Sequence, residues 1–509
     1  MFVRKKRNKS GSVSVQIISK TRGAYRVVKS VGSSHDSEGI EKLIAEARSH
    51  IIQIQRQGRL FPTLTKENAA VVGFVRTLPN TAIRTIGPEH IFGTLFDRIG
   101  FDAIAEPLFR HLVVARLAHP KSKLKTAEYL NRYRGLDIDV NDIYRFMDTL
   151  NTVHKTTVER IAFEHTKKTL GTITVVFYDM TTLYFEAEDE DDFRKIGFSK
   201  DGKFQCPQIM IGLLVGEGGF PIGYDIFEGN TFEGHTLIKT LNTIATKYTL
   251  GKPVVVADAA MLSKQNVEAL KENGYTFIVG GRIKNETDKV KNEILKLSCD
   301  KKDGMSFEVT RDDGTRLIVT YSDKRARKDK HNRAKGVEKL KKKVASGKLG
   351  KTHITNRGYN KFLTLTGDVK VAIDDTKIAN DARWDGLKGY VTNTKLPCEK
   401  LVEHYGHLWQ IEKAFRVSKS DLRVRPIFHR KRRRIEAHLC IAFVAYSIWK
   451  ELERLLKQKG VDMTPTRAAD LTQTMYAIEY SVPEVGTLDF VILRMENEQQ
   501  LLADAVHKS

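Results

Sequence analysis

Cysteine is scarce in this chain: Cys206, Cys299, Cys398 and Cys440 are the only four in 509 residues, and no two lie close together. That spacing excludes the paired thiols of a zinc ribbon or a redox motif, and the four read as reduced cytosolic thiols. Long apolar runs are also missing. The longest, Leu439 to Trp449, is too short to span a bilayer. The opening Met1-Phe-Val-Arg-Lys-Lys-Arg runs into polar sequence without the apolar segment of a secretory signal. A soluble, cytoplasmic protein without a membrane partner is therefore expected. Acidic residues are the third shortage. Asp and Glu number 62 against 85 Lys and Arg, a formal net charge of +23 with a pI near 9.6. So lopsided a balance points to a polyanionic partner, most simply nucleic acid. The length implies two to four domains.

Taken in order, residues 13 to 31 alternate as a hairpin with Gly23 in its turn, and an amphipathic helix follows from Asp36 to about Gln57. Ile40, Leu43, Ile44, Ala47 and Ile51 share one face of that helix. Arg4, Lys5, Lys6, Arg7 and Lys9 read as a basic tail on this module, residues 1–60. From 80 to 170 the pattern is helical. Lys123 to Tyr133 and Asp142 to Leu150 are spaced as a helix-turn-helix, although Asp142 and Asp148 suit a groove-reading helix poorly. Next, 171–283 reads β-β-β-α-β-α-β, an α/β sheet with a leading antiparallel meander. Residues 284–396 interrupt it as a mainly β insertion with a basic helical arm. Between Asp323 and Lys343 stand eleven Lys or Arg and three acids, a bias that suits DNA backbone contact. The sheet's second part is 397–457, and 458–509 carries little functional signal beyond a cap or dimer contact.

Within this frame two strands end in carboxylates. Thr172-Ile-Thr-Val-Val-Phe-Tyr-Asp179 is a buried strand by composition, and Pro253-Val-Val-Val-Ala-Asp258 repeats the pattern. Either aspartate alone reads as a turn-former. As adjacent strand ends, the pair offers the oxygen ligands that hard cations take, usually one or two carboxylates completed by water and phosphate. A third acid is supplied by one long helical candidate from Cys398 to Leu422. On it Tyr405, Glu412 and Lys419 are spaced by seven and seven, so they project from nearly one face. That row would flank a phosphodiester with a phenol and an ammonium.

The two strand-end aspartates with Glu412 resemble the DDE transposases of bacterial insertion sequences, the cut-and-paste group with a large β insertion before the glutamate helix. The likeness covers roughly residues 170 to 455. The group's signature is Tyr, two residues, Arg, three residues, Glu, six residues, Lys. Tyr405, Glu412 and Lys419 fit it; Leu408 fills the arginine position, and Arg416 is the expected substitute. The resemblance implies an α/β fold with a ribonuclease-H-like catalytic core interrupted by the insertion, and a helical N-terminal DNA-binding region. It implies Asp179, Asp258 and Glu412 as catalytic and metal-binding acids holding two Mg²⁺ ions, with Mn²⁺ able to substitute. The expected activity is cleavage at insertion-sequence ends followed by strand transfer into target DNA. A ribonuclease-H-like nuclease without strand transfer and a non-catalytic DNA-binding scaffold are the competing readings. Expected partners are double-stranded DNA, as terminal inverted repeats and target, and a second copy of the chain in a bacterial, nucleoid-associated complex. Tyr405, Arg416 and Lys419, with Arg423, Arg425, Arg430, Lys431 and Arg432 from the densest basic run, are the expected DNA contacts.

Overall fold

The computed structural model describes every residue except 22–23, 59–65, 188, 200–201, 233–235, 249, 262, 348, 356, 367–369, 482–487 and 509. The chain divides into two units, Met1–Ala82 and Ile83–Ser509.

In the first unit, β1 (Phe2–Arg7), β2 (Val13–Thr21) and β3 (Ala24–Ser34) form an antiparallel sheet in that order. Helices α1 (Ser37–Gly58) and α2 (Lys66–Thr77) follow. The period-two alternation of β2 sends Val15 and Ile17 to one face, where Ile40, Leu43, Ile44 and Ala47 of α1 cover them. The Asp36 carboxylate accepts the Gly39 N–H at 2.5 Å and so fixes where α1 begins. The expected basic tail is thus a strand. Val3 turns inward between Phe2 and Arg4, a single apolar contact that a run of charges conceals. Gly23, expected in the hairpin turn, lies outside the described residues.

The second unit opens with the short strand β4 (Ile83–Thr85). A helical layer follows: α3 (Thr94–Ile99), α4 (Pro107–Ala118), α5 (Lys123–Tyr129), α6 (Val140–Thr149) and α7 (Lys155–Leu170). The Ser122 hydroxyl caps α5 and Asp139 caps α6. Helix α5 turns Lys123 inward, so the basic side expected for a helix-turn-helix loses one of its charges to the interior.

The sheet strands come next: β5 (Val175–Tyr184), β6 (Gln208–Val215), β7 (Pro221–Glu228), β8 (Val254–Ala257) and β9 (Phe277–Gly281). Helix α8 (Leu237–Lys247) precedes β8, and α9 (Lys264–Glu272) joins β8 to β9. The next stretch holds α10 (Asp288–Leu297), β10 (Ser306–Thr310), β11 (Arg316–Tyr321), α11 (Asp323–Ala345), β12 (Leu363–Thr366), β13 (Lys370–Ile373), α12 (Asp375–Ala382) and β14 (Leu387–Thr392).

One eight-stranded mixed sheet, ordered β10-β11-β14-β9-β8-β5-β6-β7, organises the unit. Its β5–β8 and β8–β9 pairs are parallel and the others antiparallel. Residues 284–396, expected as a mainly β insertion with a basic helical arm, share their strands between two sheets. Strands β10, β11 and β14 continue the main sheet beyond β9, and only β12 and β13 pair apart, over a small core of Leu340, Phe362, Leu363 and Val371. Local sequence shows that Leu317, Ile318 and Val319 want burial on both faces, but not which strand will lie beside them.

Three more helices complete the first face: α13 (Cys398–Gly406), α14 (Trp409–Arg416) and α15 (Arg432–Gln458). The chain ends with α16 (Pro465–Thr472), β15 (Tyr476–Ser481), β16 (Leu488–Ile492) and α17 (Asn497–His507). Strand β15 pairs with β4, and α17 packs on α15 and α3. The apolar α15, buried along most of its length, packs among the helices of this layer. Helices α8, α9 and α10 cover the opposite face. The unit is therefore an α/β/α sandwich.

Candidate active site

Register places the two aspartates. Parallel strands β5 and β8 pair Val175 with Val254 through Tyr178 with Ala257, so the next step sets Asp179 beside Asp258. Adjacent strands lie about 4.8 Å apart. Alternation also fixes the face: Val175, Phe177 and Val256 turn toward the helical layer, while Val176, Tyr178, Val255 and Ala257 turn away. Both carboxylates fall on the first face. Each has one oxygen held by the backbone that follows, Asp179 Oδ1 by the Met180 N–H at 2.7 Å and Asp258 Oδ1 by the Ala260 N–H at 2.8 Å.

Across this face lie α13, packed on β8 and β9, and α14, packed on β5 and β6. The sequence pattern predicts a single helix from Cys398 to Leu422. Instead the chain turns at His407 and Leu408, resumes as α14, and passes into a π-helical turn at Val417–Asp421. Tyr405 therefore lies before the turn and Glu412 after it, while Lys419 follows in the π-helical turn that continues α14, so the regular seven-residue repeat is interrupted on either side of Glu412. Leu408 is buried in the core, which explains why no arginine stands there.

Glu412 is exposed in the first turn of α14. Tyr405 is buried against the sheet, and its hydroxyl approaches Gly280 on β9: a Cβ added at Gly280 would lie 2.6 Å from that oxygen and 3.0 Å from the backbone nitrogen of Ala259. The phenol is thus seated where the chain leaves Asp258. Burial pushes its pKa up, and the charges of Asp258 and Glu412 push it the same way, so it remains a neutral hydrogen-bond donor. Lys388 on β14 stands 4.3 Å from the centre of the Tyr405 ring and 5.2 Å from that of Tyr390. Burial lowers the Lys388 pKa, with Arg325 of α11 acting the same way and Glu412 against it. Lys388 and Arg325 escape sequence reasoning because both lie in the inserted stretch. The alternation of Leu387, Gly389 and Val391 against Lys388 and Tyr390 was the available signal.

Gly280 yields a test. Gly280→Ala is expected to destabilise the second unit by roughly 1–3 kcal/mol, the usual cost of overpacking, because neither Tyr405 nor the Ala259 backbone can yield freely. Urea unfolding followed by tryptophan fluorescence measures it; unchanged stability would mean that Tyr405 is not pinned there.

The donor set contains only oxygen, and the in-register aspartate pair fits a hard divalent cation. Among the described residues no group of three or more His, Cys, Asp or Glu side chains is close enough to hold a metal ion. Glu412 accordingly shares the face, and an electrostatic neighbourhood with Tyr405 and Lys388, without closing on the aspartates.

The expected DNA contacts divide into two kinds. Arg416, Arg423, Arg430 and Lys431 are exposed, and Lys419 lies in the π-helical turn. Arg425 sits over the Tyr184 ring at 5.8 Å. Arg432 is engaged within the fold, bonded to Glu436 at 2.9 Å and placed over Phe193. Its neighbours Arg433 and Arg434 both make paired bonds to Asp148 at 2.8–2.9 Å, tying α15 to α6. Three of the run's five cations are thus paired with acids, although Arg432 and Arg433 remain exposed at the surface. A cleft of about 650 Å³ opens beside Lys388, between β9, β14 and α11, and includes Arg282, Lys284 and Arg325 in its wall. There Arg333 grips Asp385 with both nitrogens, at 2.5 and 2.6 Å, and anchors the basic helix α11.

No curated protein sequence matches the chain. Among solved structures, a piggyBac transposase synaptic complex with hairpin DNA is 10% identical, covers 76% of each chain and has a TM-score of 0.38. The Mos1 mariner paired-end complex with Mn is 11% identical over 45% of this chain and 72% of its own, with a TM-score of 0.15. The family model described as the transposase DDE domain matches residues 170–448, more than half of the sequence, and that match contains both in-register aspartates, the interrupting stretch and Glu412. The chain belongs to the transposase DDE domain family.

Proposed function

We propose that this transposase cuts DNA at the ends of an insertion sequence and joins the freed 3′-hydroxyls to target DNA, with Asp179, Asp258 and Glu412 as its acids on a ribonuclease-H-like core. The observation that carries the reading is the in-register Asp179–Asp258 pair on neighbouring parallel strands, beneath the helix that bears Glu412. The strand order β7-β6-β5-β8-β9, a meander followed by two parallel additions, supports the core assignment.

DDE transposases use divalent metal ions, and Asp179 and Asp258, joined by Glu412 when DNA is bound, are the residues that would hold two Mg²⁺ here, with Mn²⁺ as a substitute. Bound there, such ions supply activation of the attacking oxygen and charge stabilisation at the leaving one. The chain's own contribution is placement. Backbone N–H groups aim both aspartates, Tyr405 offers a neutral phenol hydroxyl beside Asp258, and Lys388 and Arg325 set positive charge on the flank nearest Glu412. Water attacks the phosphorus at the element's end and the bond to the 3′-oxygen breaks; that 3′-hydroxyl then displaces the 3′-oxygen of a target phosphodiester. Both steps are in-line phosphoryl transfers without a protein-linked intermediate, so alignment and electrostatics supply most of the acceleration.

Arg416, Lys419, Arg423, Arg425, Arg430, Lys431 and Arg432 are assigned to the DNA backbone. Pairing of two ends calls for two copies of the chain. The test uses purified protein, Mg²⁺ and a plasmid carrying the gene with its native flanks. New 3′ ends confined to the element's two edges, followed by joined products, are expected. Breaks without joining would assign a nuclease, and binding without breaks under any divalent cation a DNA-binding scaffold.

A further inference from the structure

The first 34 residues contain nine Lys or Arg and no acid, and in the first unit they build all three strands. One face of that sheet packs on α1; among the described residues of the other, Ile18 is buried while Arg4, Lys6, Lys20 and Tyr25 are exposed. On the α1 side, Lys5 meets Glu41 at 3.8 Å and Lys29 meets His50 at 3.0 Å, so these cations are used within the unit. The unit's first acids, Asp36, Glu38, Glu41 and Glu46, belong to α1 and its cap. The register sends the alternate residues the other way: Phe2, Arg4 and Lys6 of β1 lie beside Ile18, Gln16 and Ser14 of β2, and Gln16 lies beside Ser30 of β3. Lys20 and Tyr25 pair on the same face, the ammonium 5.2 Å from the ring centre, and Tyr25 meets Phe2 edge-on. Arg4, Lys6, Lys20, Tyr25 and Ser30 are exposed.

We propose that this face docks on duplex DNA, its strands entering the major groove with Arg4, Lys6 and Lys20 on phosphates and Gln16 with Ser30 toward base edges. The proposal rests on the transposase reading for its partner. Two adjacent strands, about 4.8 Å apart, make a ribbon of the kind that the roughly 12 Å major groove admits, with the third strand along its rim. Amide and hydroxyl groups at the centre with cations around them are the mixture that direct readout uses, whereas a merely solvated surface would carry both signs of charge. Phe2 and Tyr25 at one end supply apolar contact of the kind that thymine methyl groups accept.

The experiment selects 30-base-pair duplexes from a pool with randomised cores, using the full-length chain, and then compares two double variants with equal charge change. R4E/K6E alters the open face; K42E/R48E alters exposed cations of α1. The sheet variant is expected to bind the selected duplex at least tenfold more weakly, with the salt slope reduced by about two for two lost phosphate contacts. The helix variant should stay within about twofold of the parent, the scatter expected of solvated charges that touch no phosphate. Gln16→Ala, which keeps the charge, should change the selected sequence and leave the salt slope alone. Equal losses in both double variants, or no loss in either, would overturn the proposal, as would a sheet variant impaired only in self-association or in binding to anionic vesicles. Binding and cleavage are read separately. Duplex selection without breaks at element edges defeats the catalytic reading alone, and edge breaks with an unaffected sheet variant defeat this one alone.

Discussion

Asp258→Asn is expected to slow cleavage at an element end by on the order of 10³-fold or more, the rate equivalent of the several kcal/mol that a correctly held cation contributes. Binding to the same end should stay within about twofold, because one exchanged carboxylate does not remove a phosphate contact. The substitution is nearly isosteric, and an asparagine oxygen can still accept the Ala260 N–H that the Asp258 carboxylate accepts at 2.8 Å. Strand β8 and the turn after it therefore keep their geometry, and what changes is the charge beside Asp179. Asp179→Asn should behave alike, since Met180 holds it in the same way. The two losses should not add, because either change alone leaves the pair unable to share a cation. The measurement is the rate of new 3′-end formation beside equilibrium binding to the same duplex. Parallel losses of rate and affinity in both variants would show the aspartates holding the fold or the DNA, and would remove them from the chemistry.

How much of this site could be read in advance depends on the range of the interaction. Asp179 and Asp258 were legible because a buried parallel strand announces itself by an unbroken β-branched run, and a carboxylate at its end is conspicuous. Their shared face follows from alternation, and their register only from the pairing of β5 with β8. Glu412 was legible as a helical acid, but the turn at His407 and Leu408 was not. Apolar residues on both sides keep helical spacing through it, and no Pro marks the break. The partners of Tyr405 were out of reach of local pattern. Gly280 and Lys388 lie more than a hundred residues and seventeen residues before it, and they meet it because β14 pairs with β9 across the inserted stretch. The same pairing carries strands of the expected β insertion into the main sheet. Basic runs misled in another way. Arg430 to Arg434 looks like a run of free surface charge, yet Arg433 and Arg434 bond Asp148, 285 and 286 residues away in sequence, and Arg432 bonds Glu436 one turn along its own helix.

Acidification is expected to weaken the second unit through a cluster that no motif announced. Arg116 of α4 and Lys123 of α5 are 5% and 4% exposed, beside His429 and His438, whose rings stand 5.4 Å apart. The His438 Nε2–H donates to the Val424 carbonyl at 2.9 Å, and Arg116 reaches the Leu422 and Arg423 carbonyls at 3.4 and 3.5 Å. Tyr144 of α6 also faces His429, as does Arg434 of α15, which is itself bonded to Asp148. Burial, then Lys123, Arg116 and Arg434, push the His429 imidazole down to about 3. Because this is below the unfolded value near 6.5, the unfolded chain binds a proton that the folded chain refuses throughout the interval between them. Stability is therefore full above about pH 6.5 and falls on acidification, by up to about 1.4 kcal/mol per pH unit for one such group. Between pH 7 and pH 5 the parent should lose roughly 2 kcal/mol more than His429→Gln, which has no proton to refuse. Tryptophan fluorescence in urea suits the measurement, since Trp384, Trp409 and Trp449 all belong to the second unit and the first contains none. Equal losses in parent and variant would mean that water or an anion reaches His429 in the folded protein, and the buried cations around it would then need a different explanation.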